Sequence, residues 1–135
     1  MLCKFDPSRF RQENGAISNK EHGWRDDGIQ FDTPCFVYGI GILEGGCRLL
    51  VDPKDQCRPA WYAVEDLIML DGSIPPEFVF QSDPTSSDWT VVIGYELLAT
   101  SLAHFNGILE REPDQLALFA QVRKGLLGES SNAIH

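Results

Sequence analysis

The stretch "CFVYGIGILEGGCRLLVD", residues 35–52, decides how the rest of the chain is read. Its first nine residues alternate. Phe36, Tyr38, Ile40 and Ile42 fall on one face of an extended strand, and Cys35, Val37, Gly39, Gly41 and Leu43 on the other. Glu44, Gly45 and Gly46 then lead tightly into a second β-rich run over residues 47–52, so the stretch reads as a β-hairpin. Its glycines also invite comparison with phosphate loops. The dinucleotide fingerprint places GxGxxG between a strand and a helix, so that a pyrophosphate meets the helix N-terminus. Here Gly39, Gly41 and Gly45 are spaced one residue too long, and a strand follows. A kinase glycine loop needs a downstream strand lysine, an HRD-type loop and a DFG aspartate, and a Walker loop ends in Gly-Lys-Ser/Thr. The chain has none of these. Gly39 and Gly41, two residues apart on one face, instead predict a flat strip against which another element packs closely.

Working outward, residues 1–28 are polar with isolated Phe5, Phe10, Ile17 and Trp24, and read as an irregular arm pinned at its aromatics. Residues 53–59 are a loop with a proline at each end. Residues 61–63 and 67–70 look extended, with one helical turn at residues 64–67 as an alternative. Asp71-Gly72-Ser73 is a turn, Pro75-Pro76 interrupts regular structure, and residues 77–80 form a short strand. In the C-terminal third Val91, Tyr95, Leu98, Leu102, Phe105 and Leu109 step by the intervals of one helix face. The β-branched run "TVVI" leaves the start of that helix open, since it could be a strand ending at Gly94, and Gly107 is a candidate break. A second helix begins at Pro113, carries Asp114 in its first turn, Leu116, Phe119 and Val122 as its stripe, Arg123 and Lys124 in its last turn, and Gly125 as its stop. The expected fold is α+β. A small antiparallel β-sheet, the 35–52 hairpin plus one or more further strands, packs against a C-terminal helical hairpin. Residues 1–128 form one domain, with the arm at 1–28, and residues 129–135 are a flexible tail.

A chain of 135 residues buries roughly 65–70% of its unfolded surface and needs no staple. Cys3, Cys35, Cys47 and Cys57 contain no CxxC pair, which argues against a zinc ribbon or a redox motif and for reduced thiols. His22, His104 and His135 are far apart, so no metal and no cofactor are expected. The apolar runs are too short to span a bilayer and the N-terminus lacks a signal h-region, which predicts a cytoplasmic protein.

The net charge of −9 is unevenly placed. Residues 1–60 carry 8 basic and 9 acidic side chains, and residues 61–135 carry 3 and 11. Residues 61–110 hold no Lys or Arg but eight carboxylates: Glu65, Asp66, Asp71, Glu77, Asp83, Asp88, Glu96 and Glu110. Such a surface is a poor one for nucleic acid and anionic membranes, and it either speeds encounter with a basic protein or simply keeps the chain soluble. Asp52, Asp71 and Asp83 sit where turn chemistry alone explains an aspartate. Trp61, Tyr62 and Trp89 flank the acid-only stretch, as core residues or as interface anchors. His104 lies one residue off the helix stripe and reads as a hydrogen-bonded boundary residue or a general base.

The segments "WYAVEDLIMLDGSIPPEFVF" and "GYELLATSLAHFNGILEREPDQLALF" combine a strand, a "DG.IP" turn, a "GY" entering a helix, an "HF" pair and an "EREP" break. Over residues 61–126 this pattern resembles small acidic bacterial immunity proteins, the antidotes of polymorphic toxin and contact-dependent growth inhibition systems. The resemblance implies a non-enzymatic, cytoplasmic inhibitor of a cognate toxin, with a basic nuclease-type domain as the partner. Its interface would draw on Glu65, Asp66, Asp71, Glu77, Asp83, Asp88 and Glu96, with Trp61, Tyr62 and Trp89 as anchors. Two other readings stay open: a small α+β enzyme using carboxylates and His104, and a regulatory or nucleic-acid-mimic binding module.

Overall fold

The computed structural model describes residues 1–82 and 89–127. The hairpin forms as expected, from β4 (Cys35–Leu43) and β5 (Gly46–Val51). β5 carries β6 (Ala60–Ala63) on its other edge, from Arg48 opposite Ala63 to Val51 opposite Ala60. The second edge of β4 is shared. Its start pairs with β1 (Leu2–Phe5) at Cys35 and Phe36, and its C-terminal half pairs with β9 (Trp89–Gly94) from Gly39–Gly94 to Leu43–Trp89. β7 (Leu67–Asp71) flanks β1, and β8 (Val79–Ser82) flanks β9. β4 is thus a trunk from which an antiparallel sheet branches, and the α+β class is as expected.

The hairpin strand differs from simple alternation at one residue. Val37 lies opposite Val51 but Gly39 lies opposite Leu50, so Tyr38 is an extra residue, a β-bulge. The bulge rephases the strand. Cys35, Val37 and Ile40 face one core, whereas Phe36 and Tyr38 face the other. Ile42 follows Ile40 by alternation and lies opposite Cys47, which packs on the same core. Phe36, Tyr38, Ile40 and Ile42 therefore do not share one face.

The N-terminal segment is more regular than its composition suggests. β1 belongs to the main sheet, and a 3-10 turn (Pro7–Arg9) leads to a separate hairpin of β2 (Phe10–Glu13) and β3 (Ala16–Asn19). The reversal is Asn14-Gly15, with φ of 51° and 80°. Positive φ at both central residues is what a two-residue hairpin turn needs, and Asn-Gly supplies it at least cost. The arm covers one face of the sheet through Phe10, whose ring meets Phe5 at 6.0 Å and Trp24 at 5.4 Å. Trp24 in turn meets Tyr62 at 5.6 Å.

The C-terminal elements cover the opposite face. The stripe that suggests one helix from Val91 to Leu109 is a strand and two helices: β9, α1 (Glu96–Thr100) and α2 (Leu102–Glu110). The β-branched run takes the open edge of β4, the alternative the sequence left open. The helical break falls at Ser101, not Gly107. Ser101 is extended (φ −107°, ψ 110°) and its Oγ accepts the His104 N–H at 3.2 Å, an N-cap. The break resets the phase, so Leu102 and Leu109 face outward and His104 and Ile108 are buried. α3 (Pro113–Leu126) starts at Pro113 as expected but runs through Gly125 to Leu126. It buries Phe119, with Leu116 and Val122 packed beside it.

The glycine strip does what its spacing predicts. A Cβ at Gly41 would lie 1.9 Å from Trp89 Cζ3, and one at Gly39 would lie 2.6 Å from Leu98 Cδ2. At Gly94, beside Gly39 in the ladder, it would lie 2.8 Å from the same Leu98 methyl. Three missing side chains let α1 and Trp89 lie flush on the sheet.

Candidate functional site

The ten residues singled out by charge and aromaticity separate by depth. Tyr62 and Trp89 are buried, one in each core, and Trp61 is half-buried. Trp61 meets Trp89 at 4.7 Å in a tilted pair, and both meet Phe105. These aromatics pack the sheet and do not stand at the surface as anchors. Asp66 is also buried, at the end of a 3-10 turn (Val64–Asp66). Its Oδ1 accepts from Arg9 Nε at 3.2 Å, which raises the Arg9 pKa and ties the arm to the sheet. Asp66 is therefore structural, because an accessible partner carboxylate cannot also be a buried counter-ion.

Glu65, Asp71, Glu77 and Glu96 are exposed. Asp71 accepts the Ser73 N–H at 2.9 Å, the turn role expected of it, and that bond holds its carboxyl below the ordinary carboxylate value. Asp52 plays the same role, accepting from the Cys57 N–H at 2.8 Å and the Gln56 N–H at 3.3 Å. Asp83 and Asp88 lie outside the described residues.

The same half of the chain also exposes apolar side chains. β7 opens with buried Leu67 and continues with Ile68, Met69 and Leu70, which are 37, 41 and 46% exposed. Ile74 beyond the turn is 52% exposed. β7 pairs with β1 on one side, and its other edge is unpaired among the described residues. Leu70 is the extra residue of a bulge, since Leu2 lies opposite Asp71 and Cys3 opposite Met69. Natural edges are guarded by lysine, proline or charge within the strand. β7 has the bulge and a terminal Asp71, but no cation or proline. The nearest strand cation is Lys4 on β1, opposite Ile68. The signal was visible in the sequence as "LIML", an apolar run without alternation inside a polar, acidic half. A strand with one buried face alternates, so four apolar residues in a row need either two covers or a partner.

His104 is 1% exposed. Its Nδ1 lies 2.8 Å from Gln115 Oε1 and its Nε2 lies 2.8 Å from the Tyr95 hydroxyl. An amide oxygen only accepts, so Nδ1 carries the proton and Tyr95 donates to Nε2. The imidazole thereby pins α2 to α3 and to the start of α1. Burial lowers its pKa below the ordinary 6.5, with the Gln115 bond acting the other way. Both nitrogens are occupied and neither partner is a carboxylate, so the geometry of a general base is missing. Among the described residues no three His, Cys, Asp or Glu side chains come together to hold a metal, and no helix is long and apolar enough to cross a membrane.

Comparison of the chain with family models, with curated proteins and with solved structures finds no match in any of the three.

Proposed function

We propose that this protein binds and neutralises a basic protein partner, as a cytoplasmic immunity protein does with its cognate toxin, and that it does so without catalysis. The observation that carries the reading is the β7 edge. Three consecutive exposed apolar residues, Ile68, Met69 and Leu70, lie on a strand edge that is unpaired among the described residues, within the half of the chain whose exposed charges include Glu65, Asp71, Glu77 and Glu96. An apolar centre with a charged rim is the anatomy of a protein interface. The carboxylates steer a basic domain to the edge, and the apolar strand holds it by burying side chains and extending the ladder. A second copy of this chain fits less well, since each copy carries −9 and the edge lies in its acid-only stretch.

The test is growth rescue by co-expression with the effector from the neighbouring reading frame, followed by association kinetics at rising ionic strength. The on-rate should fall with salt, and Asp71→Lys with Glu77→Lys should lower it about tenfold or more at low salt. Leu70→Ser should act mainly on the off-rate. An on-rate indifferent to both salt and charge reversal would sink the electrostatic part of the proposal, and absence of rescue would sink the whole.

A further inference from the structure

Among the described residues, three of the four non-glycine residues with positive φ gather at one place, away from the β7 edge. Asp55 (φ 53°) and Cys57 (φ 57°) lie in the β5–β6 loop, and Arg111 (φ 57°) caps the C-terminus of α2. For cysteine and arginine this conformation is uncommon, and such residues concentrate at binding sites. The loop and the cap border a cleft of about 170 Å³, lined by Lys54, Arg58 and Arg111 with Asp26, Asp52 and Tyr62.

The charges in this cleft do not cancel. Asp52 is committed to the amides of Gln56 and Cys57. Asp26 accepts the Gly28 N–H and pairs with Lys54 at 3.0 Å. On the outer side of the loop, Asp55 pairs with Arg123 and braces it against α3. Arg58 and Arg111 remain, both exposed, and neither forms an ion pair among the described residues. In a chain with 20 carboxylates and 11 cations, two unpaired guanidinium groups at the mouth of one cleft need an explanation. Arg111 lines the same cleft as the buried Tyr62.

We propose that this cleft binds the phosphate group of a small molecule. Guanidinium groups from two separate segments, Arg58 in the β5–β6 loop and Arg111 at the α2 cap, suit a tetrahedral oxyanion that accepts from several directions. A planar carboxylate is satisfied by a single arginine fork. The size admits a phosphate with a short substituent. A polyanion is disfavoured, because the chain carries a net charge of −9.

The test is an amide chemical-shift titration of the intact chain with inorganic phosphate, glycerol phosphate and succinate, at constant ionic strength set with chloride. Saturable shifts at Gln56, Cys57, Arg58 and Arg111 are expected with phosphate. Tighter binding of glycerol phosphate would identify an ester as the natural form, and equal or weaker binding would identify the free ion. Arg58→Gln should weaken binding about tenfold. Arg111→Gly should abolish it while raising the melting temperature of the free protein, because glycine adopts the left-handed cap without strain. That opposite movement separates a binding arginine from a structural one. A linear response, saturation by succinate in place of phosphate, or equal affinity in both variants would overturn the proposal.

Discussion

The two faces of the β4–β5 hairpin are covered in opposite ways. On the helix side the sheet is hollowed: Gly39, Gly41 and Gly94 have no side chains, and Leu98 and Trp89 fill the space from above. On the arm side the sheet is raised: Phe5, Val37, Leu49 and Val51 project into a core whose other wall is Phe10 and Trp24. Both solutions reach high density, but they fail differently. A hollowed face is sensitive to addition and a raised face to deletion. The faces also differ in extent. On the helix side, three helices and Trp89 form one cluster with the sheet. On the arm side, Phe80, Ile93 and Ile40 form a cross-strand row, of which Phe80 remains 63% exposed.

The strongest test removes one buried ring from each face. Phe5 and Phe119 are both fully buried, and Phe5→Ala or Phe119→Ala should each cost about 3–5 kcal/mol. The faces carry separate reporters, because Trp24 packs on the arm side and Trp61 and Trp89 on the helix side. Single-tryptophan variants followed in urea should show both reporters shifting together in either mutant, since β4 and β5 belong to both cores. A mutant in which only its own face's reporter moves would split the molecule into two units and break the comparison.

Next come the glycines. Gly41→Ala drives a methyl into the Trp89 ring, which Trp61 and Phe105 hold in place, and should cost about 1–3 kcal/mol. Gly39→Ala meets the end of Leu98, a side chain that can turn, and should cost about 1 kcal/mol or less. Denaturant midpoints of the two variants check the order. Equal costs would mean that the strip is limited by backbone approach and not by the rigidity of what lies above it.

Much of this arrangement was legible in the sequence because it is local. The hairpin, the close approach over Gly39 and Gly41, the turn at Asp71 and the start of α3 at Pro113 each follow from a few neighbouring residues. The β-bulge at Tyr38 was hidden, because it depends on which residue of a partner strand lies opposite, and the pattern "CFVYGIGIL" alternates plausibly in either phase. The N-terminal hairpin is marked by Asn14-Gly15 between two strand-like runs, although the polar surroundings suggest an irregular arm. Core packing of Trp61, Tyr62 and Trp89 was one of the two readings the sequence allowed, whereas the burial of Asp66 was beyond sequence reasoning, since it is set by a distant contact with Arg9. The same holds for the Lys54, Arg58 and Arg111 cleft, which joins residues more than fifty positions apart.

The faces should also part in acid. The helix side holds the buried imidazole of His104, and the arm side holds the Cys3 thiol, which burial pushes up to about 12. Because the folded pKa of His104 lies below 6.5, its contribution to stability is complete above 6.5. It declines as pH falls toward the folded value, where the unfolded chain binds a proton that the native state refuses. Urea midpoints at pH 7 and pH 5 should therefore fall less in His104→Gln than in the parent. An unchanged difference would show that the acid sensitivity arises elsewhere.

The smallest effect on folding should come from Phe80. It lies on the arm-side face, since its cross-strand neighbour Ile93 pairs with Ile40 and Val79 beside it packs on the helix side. The arm lies over Phe5 and Tyr62, at the other side of that face, which leaves Phe80 with a single flank. Phe80→Ser should then change stability by no more than about 0.5 kcal/mol. Phe80 stands on an edge strand, and exposed aromatic residues contribute to binding when a complex covers them, so the same substitution should weaken association with the proposed basic partner about tenfold. A loss of stability above about 1 kcal/mol would mean that Phe80 is covered within the folded chain and that the arm-side face is as complete as the helix side. Unchanged stability with unchanged association would confine the interface to β7, leaving Phe80 an ordinary exposed residue.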